Sequence, residues 1–180
     1  MATVDGNPSP PSRSSPTTIG RIAVVVIILG SALLWIYALT RTPGRPPGSL
    51  DDPGFATSAE PVCAAAQAEL SQLPPAYSAS DPAARAATVS AATDRLERML
   101  NQLQATTPPP GTRDGDMVAE WLNDWRVYLD DRRNYADRLL AEGDVRFYVT
   151  EKEGRQITAP IDRFAQVNHM PSCATPGDLG

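Results

Sequence analysis

Eighteen consecutive residues, Ile22 to Leu39, carry no charge, and no other feature constrains this chain as strongly. At 1.5 Å rise per residue they form a helix about 27 Å long, and the wider stretch 19–39 reaches about 31 Å, against a hydrocarbon core of about 30 Å. Val24 to Ile28 are all β-branched, which disfavours a helix in water. In lipid the balance reverses, because backbone groups with no water to bond must pair within the helix. Arg21 sits one turn inside the start and can snorkel to the headgroups, while Trp35 and Tyr37 lie near the other end, where amphipathic rings favour the interface. The expectation is an uncleaved transmembrane signal-anchor helix over residues 19–39. A core helix would be shorter. A cleaved signal peptide would have a shorter apolar region, followed closely by a small-residue cleavage site that does not occur here. Gly30, Ser31 and Ala32 permit close helix packing but form no G-x-x-x-G pattern.

Charge alone does not orient the span. Arg13 and Arg21 precede it, Arg41 and Arg45 follow it, and the positive-inside rule returns a tie. The two cysteines break it. Cys63 and Cys173 bracket the region after the span, and nothing around them resembles a metal or redox motif. Such a pair reads as a disulfide, which needs an oxidising compartment. The N-terminus is therefore expected in the cytoplasm and the C-terminal domain outside it.

Residues 1–18 hold Pro8, Pro10, Pro11 and Pro16 among Ser and Thr and read as a disordered cytoplasmic tail. Pro8 and Pro11 make at most a weak PxxP ligand. Residues 40–57 carry Pro43, Pro46, Pro47 and Pro53 with glycines and read as a stalk. Residues 58–180 are expected to fold as a small helical domain. A first helix spans Ala59 to Leu73, with Ser58 able to cap it, Pro61 in its first turn, and Pro74 and Pro75 after it. A second starts at Ser80 or Asp81, with Pro82 in the first helical position. It carries Val89, Ala92, Leu96, Met99 and Leu103 on one face and an Asp94–Arg98 pair on its surface.

The third helix starts after Asp114 or Asp116 and ends before Gly143, which fits a left-handed cap. Val118, Trp121, Trp125, Tyr128, Arg132, Tyr135 and Leu139 repeat at alternating spacings of three and four. Acidic residues crowd its start and arginines its end, which complements the helix dipole. The period then changes. Val145, Phe147 and Val149 alternate with polar or outward-facing neighbours, and a turn at Glu151–Gly154 with a return over Arg155 to Thr158 would make a short β-hairpin. Thr158 is placed to cap a last short helix from Ala159 to Val167. A Cys63–Cys173 bond would close a loop of roughly a hundred residues and staple the first helix to the C-terminal segment, about 4.7 kcal/mol in the chain-entropy limit. The fold class is mainly α: one transmembrane helix and a disulfide-stapled helical bundle with a short hairpin.

The sequence carries no catalytic constellation, no metal-ligand spacing and no cofactor motif. His169 is the only histidine and is expected to be an exposed residue after the last helix. Pairing it with Cys173 as a catalytic dyad would leave Cys63 as an odd thiol. The unusual feature is the face formed by Trp121, Trp125, Tyr128 and Arg132. It is either core, filling space left by Ala-rich partner helices, or the lining of a ligand groove. Arg132 is expected to snorkel at the stripe's edge, with three alternatives: pairing with an acidic residue, stacking on Tyr128 or Tyr135, or binding an anionic group.

Residues 1–50 carry four arginines against Asp5, a net +3, which leaves −8 of the overall −5 on the remainder. A domain of that sign disfavours nucleic acid, does not lie flat on an anionic leaflet, and attracts basic partners at long range. The Pro-rich start, single anchor, Arg- and Ala-rich composition and two-cysteine helical domain resemble the uncharacterised single-pass membrane proteins of high-GC actinobacteria. That resemblance implies the cell envelope and no particular activity. The expected function is a non-enzymatic, membrane-anchored domain in the envelope that meets the lipid bilayer and a protein partner. The alternative is a small-ligand or sensing domain using the aromatic face. Thiol labelling of the denatured, unreduced chain should find neither cysteine free.

Overall fold

The structure is a computed structural model and describes residues 16–40 and 44–179. Most of the tail expected over residues 1–18, and the stalk positions 41–43, lie outside the described residues. The described chain falls into two units, one ending at Gly44 and one beginning at Arg45.

The first unit is helix α1 (Pro16–Thr40). Every residue of its stretch Gly20–Thr40 is exposed within the chain, and that stretch is long and apolar enough to cross a membrane. A helix that is apolar all round and buried against nothing in its own unit suits lipid better than water.

The second unit is built around four helices: α2 (Gly54–Leu70), α3 (Pro82–Gln104), α4 (Arg113–Glu142) and α5 (Thr158–Val167). α3 packs along α4, α2 lies on α3, and α5 on α4. Their starts are chemically marked. Asp81 caps α3 by accepting from the Ala84 N–H at 2.8 Å, with Pro82 next to it, as expected. Thr112, rather than Asp114 or Asp116, caps α4, accepting from the Gly115 N–H at 3.0 Å. A Cβ at Gly115 would collide with the Pro109 carbonyl, so the Pro-rich turn needs glycine there. The α4 stripe is buried throughout, from Val118 to Leu139, and shares its apolar clusters with small residues such as Ala59, Ala66 and Ala92 and, toward Leu139, Ala76 and Ala86. The expected disulfide forms: Cys63 on α2 and Cys173 in a 3₁₀ turn (Pro171–Cys173) are bonded, fully buried, with their Cα atoms 5.1 Å apart.

Several expectations need correction. The stalk expected over 40–57 is shorter, because from Arg45 the chain belongs to the folded unit. Leu50 is buried and its N–H donates to Asn168 Oδ1 at 2.8 Å, while the Asp51 and Asp52 N–H groups donate to the Asp114 carboxylate at 2.9 Å. α2 accordingly begins at Gly54 rather than Ala59, because Phe55 is drawn into edge contact with Trp121, and it ends at Leu70 rather than Leu73. Ser58 lies inside the helix and donates to the Phe55 carbonyl instead of capping. Arg98 reaches across to Glu69 on α2 at 3.3 Å instead of pairing with the Asp94 carboxylate.

Gly143 has positive φ as expected, but at φ 91°, ψ −139° it lies outside the left-handed helical region. The chain leaves α4 directly into an extended segment. The hairpin is only β1 (Glu151–Lys152) and β2 (Arg155–Gln156), antiparallel, closed by Glu153 and Gly154, both at positive φ. Residues 145–150 keep the expected alternation of burial without forming a strand, and only Thr150 is bonded across the hairpin, its carbonyl accepting from the Ile157 N–H at 2.8 Å. Phe147 packs against Tyr128 and Tyr135, and Thr150 is held by both oxygens of Asp131 at 2.7 Å. Thr158 does not cap α5, which starts with no side-chain cap.

The Asp114 carboxyl sits below its usual range. Burial opposes ionisation, but the Asp51 and Asp52 N–H groups, with Arg113 and Arg45, outweigh it. A depressed folded-state pKa contributes stability that is present above the unfolded pKa and lost as pH falls through the folded one. Asp114→Ala should therefore lower stability by about 1–3 kcal/mol at neutral pH. Thermal denaturation across pH 7 to 3 should show the gap from the parent closing as the pH falls.

Candidate functional site

The four residues singled out in sequence come together on one face of α4, and that face is sealed. Trp121, Trp125, Tyr128 and Arg132 are all buried, Trp125 and Arg132 completely. Trp121 and Trp125 meet edge to face, as do Trp125 and Tyr128. These side chains are core; of the four, only Trp121 also reaches the lining of an accessible cleft.

Arg132 corrects the snorkelling expectation. Its Nη1 and Nη2 donate to the Asp178 carboxylate at 2.8 and 2.6 Å, its Nε donates to Thr93 Oγ1 at 3.0 Å, and its guanidinium lies over the Tyr128 ring at 5.6 Å. Two of the three alternatives, an acidic partner and a ring, are met. Burial works against the charge, but the bonds to Asp178 and the neighbouring Tyr128 hold Arg132 above its ordinary value, so it stays cationic. Burial in turn pushes the Tyr128 hydroxyl up. Asp178 lies 46 residues from Arg132 in sequence, a separation that no pattern in the chain marks. The contact straps the C-terminal segment onto the bundle, where Ala76 N–H also donates to the Asp178 carbonyl.

An accessible site lies on the other side of Trp121. A cleft of about 470 Å³ is formed where the hairpin and α5 meet α4, with Pro47 and Gly48 at one end. Trp121 fixes it: its indole Nε1 donates to the Ile161 carbonyl at 3.1 Å, and its ring stacks on Phe164 at 5.1 Å. Met117, Trp121 and Phe164 line its apolar part. Lys152, the only lysine of the chain, closes one wall by donating to Glu120 at 2.7 Å and to the Asp124 carboxylate at 2.8 and 2.9 Å. Partial burial would lower its pKa, but these two carboxylates raise it, so Lys152 is an ammonium ion and structural cation at neutral pH.

Arg155 and Arg163 also line the cleft and are exposed; among the described residues the side chain of neither makes an ion pair or hydrogen bond. A cleft of this volume falls in the range of ligand sites. Sequence reasoning missed it. The single lysine was a visible signal, whereas Arg155 and Arg163 were hidden in a chain that uses arginine throughout. His169 is exposed, at positive φ after α5. Among the described residues no group of three or more His, Cys, Asp or Glu is placed to hold a metal ion. No family model, curated protein or solved structure matches the chain.

The Arg132–Asp178 contact is directly testable. Asp178→Asn leaves a buried guanidinium without its counter-charge and should cost about 3 kcal/mol. Combining it with Arg132→Met should recover most of the loss. Chemical denaturation of the two variants checks this.

Proposed function

We propose that this chain is a membrane-anchored extracytoplasmic domain that binds a protein partner in the cell envelope. The observation that carries the reading is the buried Cys63–Cys173 bond, because a structural disulfide closing a whole folded unit belongs to an oxidising compartment. The apolar helix α1 supplies the anchor, so the N-terminal end lies in the cytoplasm and the unit from Arg45 onward lies outside. The resemblance to single-pass actinobacterial envelope proteins agrees with this placement.

A binding role is supported by what the fold does with its reactive-looking groups. The aromatic face is sealed in the core, Lys152 is held between two carboxylates, and the accessible cleft presents apolar surface with exposed arginines. The unit's negative charge keeps it off an anionic leaflet and leaves its surface free for a protein.

Protease added to intact spheroplasts should remove the unit beginning at Arg45, and full protection would overturn the orientation. Crosslinking in intact membranes should give a product between this chain and a different protein. Recovery of self-crosslinks alone, or of none, would overturn the partner reading.

A further inference from the structure

We propose that the cleft between the hairpin and α5 receives an extended segment of the partner protein, and that it selects a carboxylate side chain beside a bulky apolar one. This rests on the reading of the unit as a partner-binding domain and names the chemistry of the partner.

Three observations carry it. The first is charge. The unit holds many more carboxylates than cations, yet Arg155 and Arg163, both lining the cleft, have no carboxylate partner among the described residues. Lys152, on the same cleft, is satisfied by Glu120 and Asp124, so the two guanidinium groups face one lining carboxylate that is not already paired among the described residues, the exposed Glu153. The free guanidinium groups are the cations left to recognise an incoming acid, and their planar forks suit a carboxylate. The second is the apolar lining of Met117, Trp121 and Phe164, held rigid by the Trp121 bond to Ile161 and the Trp121–Phe164 stack. A rigid apolar surface beside a charged lip reads two adjacent side chains of opposite character.

The third is shape. The cleft is open to solvent rather than enclosed, whereas small-molecule pockets bury most of their ligand. An open trough suits side chains whose own backbone stays at the rim. The fold already uses the same chemistry on its own C-terminal segment: Asp178 is taken by Arg132 while the adjoining Leu179 packs on an apolar cluster.

The unit's net charge sharpens the test. With 13 basic against 20 acidic residues from Arg45 onward, a net −7, it attracts basic segments and repels acidic ones at long range. Two capped peptides, Lys-Gly-Phe-Glu-Gly-Lys and Lys-Gly-Phe-Gln-Gly-Lys, are titrated by calorimetry into the full chain held in phosphatidylcholine nanodiscs. Long-range attraction alone favours the more positive glutamine peptide; recognition by the arginines favours the glutamate peptide. The expected result is at least ten-fold tighter binding of the glutamate peptide. The exposed double variant Arg155→Gln/Arg163→Gln should abolish that preference with an unchanged melting temperature. Equal or tighter binding of the glutamine peptide, no binding of either at millimolar concentration, or a preference that survives the double variant overturns the proposal. So does displacement of the glutamate peptide by an equal concentration of 3-phenylpropionate, which would assign the cleft to small free acids. A photoreactive benzophenone side chain at position 153, on the cleft wall, separates the two levels. If it crosslinks a partner in native membranes while the peptides fail, only the acid-and-apolar specificity falls. If it crosslinks nothing, the partner reading falls with it.

Discussion

Trp121 joins the parts of the folded unit that sequence places far apart. Its ring takes the edge of Phe55 from α2 and stacks on Phe164 from α5, and its indole N–H is bonded to the Ile161 carbonyl. One side chain thus ties Phe55 of α2 and the helix α5 to α4. It does so because an indole offers a large flat apolar area and one directional donor. The start of α2, the seat of α5 and the lining of the cleft all depend on this contact. The early start of α2 follows as well, since Phe55 reaches Trp121 only if the helix begins before it.

Two further ties close what Trp121 arranges. The Cys63–Cys173 bond joins α2 to the segment after α5, and Arg132 draws Asp178 onto the far end of α4. They act differently. The disulfide restricts the unfolded chain. The Arg132–Asp178 pair holds a charge that burial would otherwise make very costly, so it is more important to keep whole than to possess. Together they hold the C-terminal segment along the bundle, with Gln67 donating to the Ser172 and Ala174 carbonyls and Thr175 held by Asp162. The Pro-rich residues before α2 are tied down in a similar manner, by Asp114 and Asn168. Composition made those residues look like a free stalk. Side-chain acceptors that bind their backbone N–H groups made them part of the domain.

The legible features were those written in local spacing. The stripe on α4 repeats every three and four residues, and it is the core. Asp81 and Pro82 announce a helix start in adjacent letters. The alternation over residues 145–150 correctly sorts inward from outward side chains, although no ladder forms there. The failures came where a distant group competes for a local one. Arg98 pairs with the Glu69 carboxylate on α2 and reaches only the backbone carbonyl of its neighbour Asp94, and Arg132 finds Asp178 instead of solvent. The aromatic face seemed available because a sequence shows which side of a helix is apolar but not what covers it. The cleft was invisible for the converse reason: Lys152, Arg155, Arg163 and Phe164 are unremarkable one at a time and acquire meaning only when the hairpin and α5 stand against α4.

Sequence alone determined the helical character of the chain, the apolar helix long enough for a bilayer, the start of α3 at Asp81 and Pro82, and the pairing of its two cysteines. These follow from periodicity, from backbone groups that need internal partners in lipid, and from the presence of a single possible disulfide. Tertiary structure alone decided that the aromatic stripe is sealed, that Arg132 is a buried ion-pair member, that the domain begins at Arg45, and that two arginines are left unpaired beside an apolar cleft. Those outcomes depend on which surfaces meet across tens of residues, and burial and charge pairing are properties of that meeting rather than of any residue's neighbours in the chain.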